Sequence, residues 1–320
     1  MKDFSIISTG RHDQTTRGFI EEYAAAAGVK VDYAPLPEWS EKAVIDTVKG
    51  YNASIASVEP YTRDVLKALC PELKAIIRFG VGYDNIDTEA ARGLGIAVMI
   101  AGGGNSRAVA DHAIMLMLAL GRQICLYDRE MRQGGWRKSR DCTVLEGKTV
   151  GIIGFGRIGR ILSGYLSGFK CRLLVSDDYV DDAVLTSCGA RRAGLDEIAG
   201  SSDFISLHIP LMNGTRGMID NNFLVKMKPT AFLINTSRGP VVNEQELVAA
   251  LNRGVIAGAG LDVFETEPLG EDSPLRKMDN VILSPHTAFK TLESERLTSK
   301  IVIDNLKEFF ESGECDDIVN

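Results

Sequence analysis

The chain has 320 residues, of which 45% are hydrophobic and 25% are charged, an ordinary globular composition with enough apolar material for two domains. Its formal net charge of −7 disfavours binding to nucleic acid or to an anionic membrane, so we expect a small soluble ligand. The six cysteines form no Cys-x-x-Cys pair and none lies at metal-ligand spacing from a histidine. We therefore expect reduced thiols, a cytoplasmic location and no metal site. No apolar run approaches the ~18 residues of a membrane-spanning helix, and the amino terminus lacks the apolar stretch of a secretion signal.

Short β-rich runs alternate with helical patterns in the first third of the chain. The predicted strands are FSIIST, VDYA, ASIAS, LKAIIRF and IAVMI. A helix is predicted through EEYAAAAG, between the first two of these strands. Strands that alternate with helices pair in parallel through crossover connections, so this third is expected to form a complete small α/β sheet.

The next segment, residues 105–135, predicts one long helix. Ser106 is placed to cap its start, and Gly134 and Gly135 are placed to end it. The stretch Ile114–Leu120 is apolar on every side of this helix. That pattern indicates burial, either between layers of the protein or against a second subunit.

A second alternating series begins at Thr149. Its predicted strands are TVGIIG, CRLLVSD, DFISLHIP, TAFLINTS, IAGAGLDVF and VILSPH. The chain closes with a predicted helix, TLESERLTSKIVIDNLKEFFESG, in which Leu297, Ile301, Leu306 and Phe310 recur at near-helical spacing. This last helix could pack on either of the two predicted sheets.

The first strand of the second series runs into a glycine-rich segment, Gly154-Phe-Gly156-Arg-Ile-Gly159. In a dinucleotide-binding turn the first glycine permits a tight turn, the second lets the backbone approach a pyrophosphate, and the third allows close helix packing. The next strand ends about 20 residues further on at Asp177, where a carboxylate accepts ribose hydroxyl groups and repels a 2′-phosphate. The sequence therefore predicts a site for NAD rather than NADP; the alternative is that Asp177 is a solvated turn residue.

Polar side chains follow the later strands of this series. Ligands bind outside the carboxyl ends of the strands in an open parallel sheet, so these side chains would converge on one crevice. The residues concerned are His208, Pro210, Arg238, Asp262, Glu265, Glu267 and His286.

These residue types suit hydride transfer between a hydroxy acid and a nicotinamide. The reaction needs a group that exchanges the hydroxyl proton, and His286 is the best placed of the four histidines. It also needs a cation for the substrate carboxylate, and Arg238 can grip a carboxylate with two hydrogen bonds. A carboxylate beside the histidine would fix its tautomer, and the residues alone leave Glu265 and Glu267 as alternatives.

Seven blocks between Lys74 and His286 resemble the D-isomer-specific 2-hydroxyacid dehydrogenases, the NAD-linked family that includes phosphoglycerate dehydrogenase and hydroxypyruvate reductase. The blocks, in the family's order, are RFGVGYDNIDTEAARGLGIAV, NSRAVADHAIMLMLALGR, LEGKTVGIIGFGRIGR, SLHIPLMNGTRGMI, MKPTAFLINTSRGPVVNEQELVAAL, GAGLDVFETEPL and VILSPHTA. The resemblance implies an α/β fold in which a Rossmann NAD-binding domain, residues 101–287, is inserted into a flavodoxin-like catalytic domain formed by residues 1–100 and 288–320. It also implies a homodimer formed through the Rossmann domain.

The resemblance assigns roles to individual residues. Arg238 would bind the substrate and act in catalysis, His286 would exchange the proton, and Glu267, which directly precedes proline as in the family, would support His286. Backbone N–H groups of Val81 and Gly82 would hold the substrate carboxylate. Asp262 would meet the nicotinamide carboxamide. The residues expected to bind NAD are Val109, Gly154, Gly156, Arg157, Ile158, Gly159, Asp177, His208, Pro210, Thr215, Thr236 and Asp262.

The function implied by the resemblance is hydride transfer between NAD and a small D-2-hydroxy acid or its 2-keto acid. Two alternatives stay open: 3-phosphoglycerate as the specific substrate, and an NAD-sensing, corepressor-like protein with little turnover. The similar formate dehydrogenases pair their histidine with a glutamine, and Glu267 argues against that activity. The chain departs from the family pattern at Asp111, where glutamate is commoner, and at the triple glycine of residues 102–104.

Further basic residues could reach a second anionic group of the substrate, such as a phosphate. For each of them solvated surface charge is the alternative. They are Arg11, His12, Arg78, Arg107, Lys138 and Arg140. The sequence therefore leaves the identity of the hydroxy acid open.

Overall fold

A computed structural model of the protein describes residues 4–320. The chain divides into two compact units. Unit 1 comprises the chain up to Asn105 together with Lys290–Asn320, and unit 2 is Ser106–Phe289. The predicted boundaries, after residues 100 and 287, fall a few residues earlier at both crossings. Unit 2 is therefore inserted into the sequence of unit 1.

Strands and helices alternate along the first part of unit 1. They are β1 (Ile6–Ser8), α1 (Gln14–Ala27), β2 (Val31–Tyr33), α2 (Glu41–Val48), β3 (Ala53–Ala56), α3 (Arg63–Leu69), β4 (Ala75–Arg78), α4 (Thr88–Gly93) and β5 (Ala97–Ile100). The strands form one parallel sheet in the order β2-β1-β3-β4-β5, which is the flavodoxin order. All five predicted strands of this unit are confirmed.

Unit 2 begins with two helices and continues as a second alternating series. Its elements are α5 (Ser106–Arg122), α6 (Ile124–Arg132), β6 (Thr149–Ile153), α7 (Arg157–Gly168), β7 (Arg172–Ser176), α8 (Asp182–Ser187), β8 (Ala190–Arg192), α9 (Leu195–Ser201), β9 (Phe204–Leu207), α10 (Asn221–Leu224), β10 (Phe232–Asn235), α11 (Glu244–Asn252), β11 (Gly258–Leu261) and β12 (Val281–Leu283). The strands form a parallel sheet in the order β12-β11-β10-β9-β6-β7-β8. Since the strand order reverses between β6 and β9, the sheet is doubly wound and its ligand crevice is expected there.

The edge strand β8 is absent from the sequence prediction, whereas the six predicted strands of this unit are confirmed. Only Ala190 of its three residues is buried, and Arg191 and Arg192 are exposed. A strand buried on both faces is recognised by its apolar run, and β8 has none.

The single helix predicted over residues 105–135 is wrong. The chain breaks at Gln123, whose φ is 50°, and α5 and α6 meet at an angle of 63°. In a continuous helix the carbonyl of Gly121 would accept a hydrogen bond from the N–H of Cys125. Here the N–H of Thr143, from the returning chain, donates to that carbonyl at 2.7 Å. The returning chain thus competes for the carbonyl that the next helical turn would need.

Only one side of α5 is buried in unit 2. Leu116 packs over Gly260 of β11, where an added Cβ would come within 3.1 Å of the leucine side chain. On the other side Met115 is 46% exposed and Leu118 is 37% exposed. The expectation of burial between layers is therefore wrong for this side, and contact with a second subunit stays a prediction.

The closing helix α12 (Leu292–Ser312) belongs to unit 1, where it packs along α1. Val302 and Leu306 are buried with Ile20 of α1 in one apolar cluster. Leu297, which the spacing predicts on the apolar face, is 44% exposed. The last helix therefore packs on the sheet of unit 1.

Residues 4–320 contain no single helix that is long and apolar enough to span a membrane; α5 and α6 reach that length and hydropathy only when the two bent halves are added together. In the same residues no group of three or more histidine, cysteine or acidic side chains is arranged to hold a metal ion. The six cysteines are all free thiols.

Candidate active site

The glycine-rich turn between β6 and α7 has a different constraint at each glycine. Gly154 has φ 93°, and an added Cβ would lie 2.4 Å from the carbonyl oxygen of His208. An added Cβ on Gly159 would lie 2.5 Å from the carbonyl oxygen of Gly154, so the helix packs tightly on the turn. Gly156 has open space above it. The turn therefore keeps one side clear for a ligand at the N-terminus of α7, where Arg157 and Ile158 begin the helix.

Asp177 stands directly after β7, beside this turn. Its carboxylate accepts the N–H of Phe155 at 2.7 Å and the N–H of Tyr179 at 2.9 Å, so it is fixed to the glycine turn. Arg192 of β8 braces the same loop: its Nε donates to Asp182 at 2.7 Å, and its guanidinium also donates to the backbone carbonyl of Asp177. The predicted acceptor for a ribose is thus held rigidly, by an arginine that sequence reasoning missed.

Replacing Asp177 with alanine is expected to weaken NADH binding about tenfold and to reduce the preference for NADH over NADPH. The carboxylate would no longer bind the ribose or repel a 2′-phosphate, and its bond to Phe155 would be lost. Fluorescence titration with both cofactors measures this change. Asp178→Ala is the matched control because Asp178 is exposed and adjacent; an equal loss in both variants would contradict the assignment of Asp177.

Two buried polar atoms lie along the carboxyl edge of the sheet without a hydrogen-bond partner among the described residues. They are Nδ1 of His208, after β9, and Oγ1 of Thr236, after β10. Burial lowers the pKa of His208 to about 4, so the ring is neutral and its other nitrogen bonds to Ser206 at 2.9 Å. Thr215 ties the following loop by donating to the carbonyl of Pro210 at 2.7 Å. Orphaned polar atoms at this edge fit a bound dinucleotide that would complete their hydrogen bonds.

A histidine and a carboxylate form the centre of the predicted catalytic group. Nδ1 of His286 is 2.7 Å from Oε2 of Glu267, and Oε1 of Glu267 accepts the N–H of Phe264 at 3.0 Å. Burial acts to raise the pKa of Glu267, but the bond to His286, the bond from Phe264 and the charge of Arg238 together lower it. The carboxylate is therefore ionised at neutral pH, and Nε2 of His286 is the nitrogen left for proton exchange. The chain places Glu267, not Glu265, against the histidine.

The turn that carries Arg238 is held by its own side chains and by a close backbone contact. The amide of Asn235 donates to the carbonyl of Arg238 at 2.9 Å, and its oxygen accepts from the N–H of Ser237 at 3.0 Å. The next residue, Gly239, lies so close to Phe264 that an added Cβ would come within 1.9 Å of the backbone there. Only glycine permits this approach, which brings the arginine turn beside the loop that leads to Glu267.

A family model for the NAD-binding domain of D-isomer specific 2-hydroxyacid dehydrogenases matches residues 114–288. The chain belongs to this family. It is 38% identical over 276 residues to a glyoxylate reductase of Korarchaeum cryptofilum, covering 84% of this chain and 83% of that protein. It is 39% identical over 229 residues to a D-3-phosphoglycerate dehydrogenase of Mycobacterium tuberculosis, covering 71% of this chain but only 43% of that longer protein.

The fold of the whole chain matches solved structures of the same kind. A glyoxylate reductase from Paecilomyes thermophila superposes with a TM-score of 0.87 at 30% identity, covering 100% of this chain and 99% of that one. The chain is therefore an oxidoreductase with a Rossmann domain, and NAD is its cofactor. The matched residues lie within unit 2.

Asp262 follows β11 and is buried at 1% exposure. Its carboxylate accepts hydrogen bonds from the hydroxyl of Ser284 at 2.6 Å and from the N–H groups of Thr287 and Ala288 at 2.9 Å each. A carboxylate has about four acceptor positions, so roughly one is left for another donor. Contact with the nicotinamide carboxamide stays a prediction, and the carboxylate already organises the loop that carries His286.

The remaining predicted residues have simpler surroundings. Val109 is buried on α5 in unit 2. Val81 and Gly82 belong to unit 1, where they follow β4, and neither of their N–H groups donates to a backbone acceptor in the described chain.

Two of the candidates for a second anionic group have structural partners: Arg11 donates to the carbonyl of Leu36, and Arg140 pairs with a glutamate at 2.8 Å. Contacts within the protein therefore account for both of these side chains.

Proposed function

We propose that the protein is a cytoplasmic NAD-dependent D-2-hydroxyacid dehydrogenase that interconverts a small D-2-hydroxy acid and its 2-keto acid. The observation that carries the proposal is the 2.7 Å bond between His286 and Glu267, in the same unit as the braced Arg238 turn and the glycine turn. This combination provides a proton donor, a group that binds an anion and a sheet edge where the cofactor can bind.

In the reduction, Arg238 binds the keto acid carboxylate with its planar guanidinium and polarises the neighbouring carbonyl oxygen. The glycine turn and Asp177 would hold NADH, which when bound would supply the hydride for the carbonyl carbon. Protonated His286 donates its Nε2 proton to the carbonyl oxygen as negative charge develops there, leaving a neutral imidazole. Glu267 accepts the Nδ1–H throughout, which fixes the ring orientation and stabilises the charged form before transfer.

The relatives support one class of substrate for this proposal. The similarity to the proteins named glyoxylate reductase extends over 83% and 86% of those proteins, whereas the similarity to the M. tuberculosis phosphoglycerate dehydrogenase extends over 43% of that protein. This favours a small keto acid such as glyoxylate or hydroxypyruvate over phosphohydroxypyruvate. The named alternative from another class is an NAD-sensing protein, which would bind NADH with little turnover.

A kinetic panel tests the proposal. The purified protein is given NADH with glyoxylate, hydroxypyruvate, pyruvate, branched keto acids and phosphohydroxypyruvate, and the loss of NADH absorbance is recorded. We expect at least one unphosphorylated keto acid to reach a kcat of about 1 per second or more. NADH binding without turnover on any member would refute the enzyme proposal and support the sensor. A kcat/KM that is highest for phosphohydroxypyruvate would instead select the phosphorylated substrate.

We also propose that unit 2 mediates a homodimer. The exposed side chains Met115 and Leu118 on α5 support it because an apolar helix face of this kind favours association. Sedimentation of the wild-type chain and a Met115→Glu, Leu118→Glu variant decides the point, since a monomeric wild type would refute it.

A further inference from the structure

A line of three side chains lies directly behind the loop that carries His286. Nε2 of His112, on α5, is 2.8 Å from Oγ of Ser284, which follows β12. Ser284 donates to Oδ1 of Asp262 at 2.6 Å. The same carboxylate accepts the backbone N–H groups of residues 287–288 at 2.9 Å. The line therefore runs from the buried side of α5 to the backbone next to the catalytic histidine.

The direction of each hydrogen bond in this line is fixed by chemistry. The Asp262 carboxylate faces three donors and acts only as an acceptor, so the single proton of the Ser284 hydroxyl points to it. Ser284 Oγ can then only accept from His112. His112 must carry its proton on Nε2, which selects one of the two neutral tautomers.

His112 works in this line as a neutral donor. Burial lowers the pKa of His112, although the Asp262 carboxylate, 3.7 Å away, acts to raise it. The ring is therefore uncharged at neutral pH, and its Nε2–H is still available to Ser284. Protonation would add a second N–H and leave this bond in place.

We propose that His112 and Ser284 are positioning residues: they hold the Asp262 carboxylate, and through it the loop that aims His286. The proposal rests on the proposed function, in which His286 exchanges the substrate proton. The backbone of His286 has φ 53°, a conformation that a non-glycine residue keeps only when its surroundings enforce it. Its N–H donates to the carbonyl of Asp262 at 2.8 Å, so both the backbone and the side chain of Asp262 hold this loop.

The first test uses the cofactor-free protein and does not depend on turnover. Imidazole nitrogen chemical shifts of ¹⁵N-labelled protein at neutral pH are expected to show His112 as the Nε2–H tautomer. In Ser284→Ala, amide hydrogen exchange at residues 287–288 is expected to be at least several-fold faster than in the wild type. An Nδ1–H tautomer, or unchanged exchange at both amides, would overturn the hydrogen-bond line.

The second test measures catalysis. Ser284→Ala is expected to lower kcat about tenfold with little change in the keto acid KM, because a displacement of the order of 1 Å at a catalytic group costs up to ~10²-fold. The primary isotope effect with NADH deuterated at C4 is expected to rise, since the chemical step becomes slower. Ser284→Thr keeps a hydroxyl, and His112→Gln keeps a donor near Nε2, so both should recover most of kcat, whereas His112→Leu should not.

Ser202→Ala is the matched control, because Ser202 is a fully buried serine of unit 2 whose hydroxyl has no partner among the described residues. Wild-type kcat in Ser284→Ala would overturn the positioning role. A kcat that falls only in proportion to the fraction of folded protein, with an unchanged isotope effect, would also overturn the positioning role. A wild-type protein without turnover on any keto acid would refute the proposed function, and the positioning role with it, while tautomer and exchange would still show whether the line holds the loop.

Discussion

Glutamine in place of His286 is expected to lower kcat for keto acid reduction about 10³-fold. Glutamine retains polar groups in the same space, but it has no proton that it can release near neutral pH. The NADH dissociation constant is expected to change less than twofold, because the glycine turn and Asp177 lie at β6 and β7 rather than at β12. Turnover from the NADH absorbance and binding by fluorescence titration measure the two quantities separately.

Glu267→Gln serves as the companion variant. It keeps a hydrogen-bond acceptor for Nδ1 of His286 but removes the negative charge, so a smaller loss of about 10- to 100-fold is expected. Because the pKa of Glu267 is lowered, the wild-type carboxylate keeps its charge at pH values below the usual titration range of glutamate. Its charged support of His286 is lost only as the pH falls through that lowered pKa. Near wild-type turnover in His286→Gln would remove the histidine from the mechanism, whatever Glu267→Gln shows.

Local sequence patterns predicted most of the residues expected to bind the cofactor. The three glycines and Asp177 are recognised within a span of about 20 residues, because a strand, a turn and a helix of fixed length impose that spacing. The structure adds the reasons for two of them: His208 excludes a side chain at Gly154, and Gly154 excludes one at Gly159. The local sequence was sufficient to predict this turn, because its contacts join residues that are close in sequence or that lie on adjacent strands.

Contacts that cross long distances in sequence escaped prediction. His112 and Ser284 are 172 positions apart, and nothing in the apolar pattern of α5 distinguishes His112 from a core residue. The break at Gln123 depends on Thr143, which returns to Gly121 after a long loop. The residues alone left Glu265 and Glu267 open, because two carboxylates of equal chemistry share one loop and the path of the backbone selects the one that meets His286. Only the resemblance to the family, through the proline that follows Glu267, pointed to the carboxylate that the structure places there.

The second large effect is expected at Arg238. Replacing it with lysine retains the positive charge but removes the planar pair of donors that grips a carboxylate. A hydrogen bond to a charged group contributes about 1.5–3 kcal/mol, so the loss of one such bond together with the alignment of the carbonyl is expected to lower kcat/KM about 10²-fold. Glutamine at the same position, which also lacks the charge, should cost roughly tenfold more.

The effects of the lysine and glutamine variants on KM and on kcat separate binding from catalysis. If Arg238 only held the carboxylate, both variants would raise KM and leave kcat intact. Because the guanidinium also polarises the carbonyl oxygen as charge develops there, kcat is expected to fall as well, and the affinity for oxamate, an unreactive carboxylate, should fall less than kcat/KM. Arg253→Lys is the matched control, since Arg253 is an exposed arginine of unit 2 at the end of α11. Equal losses for oxamate affinity and for kcat/KM would reduce Arg238 to a binding residue and leave His286 as the main source of catalysis.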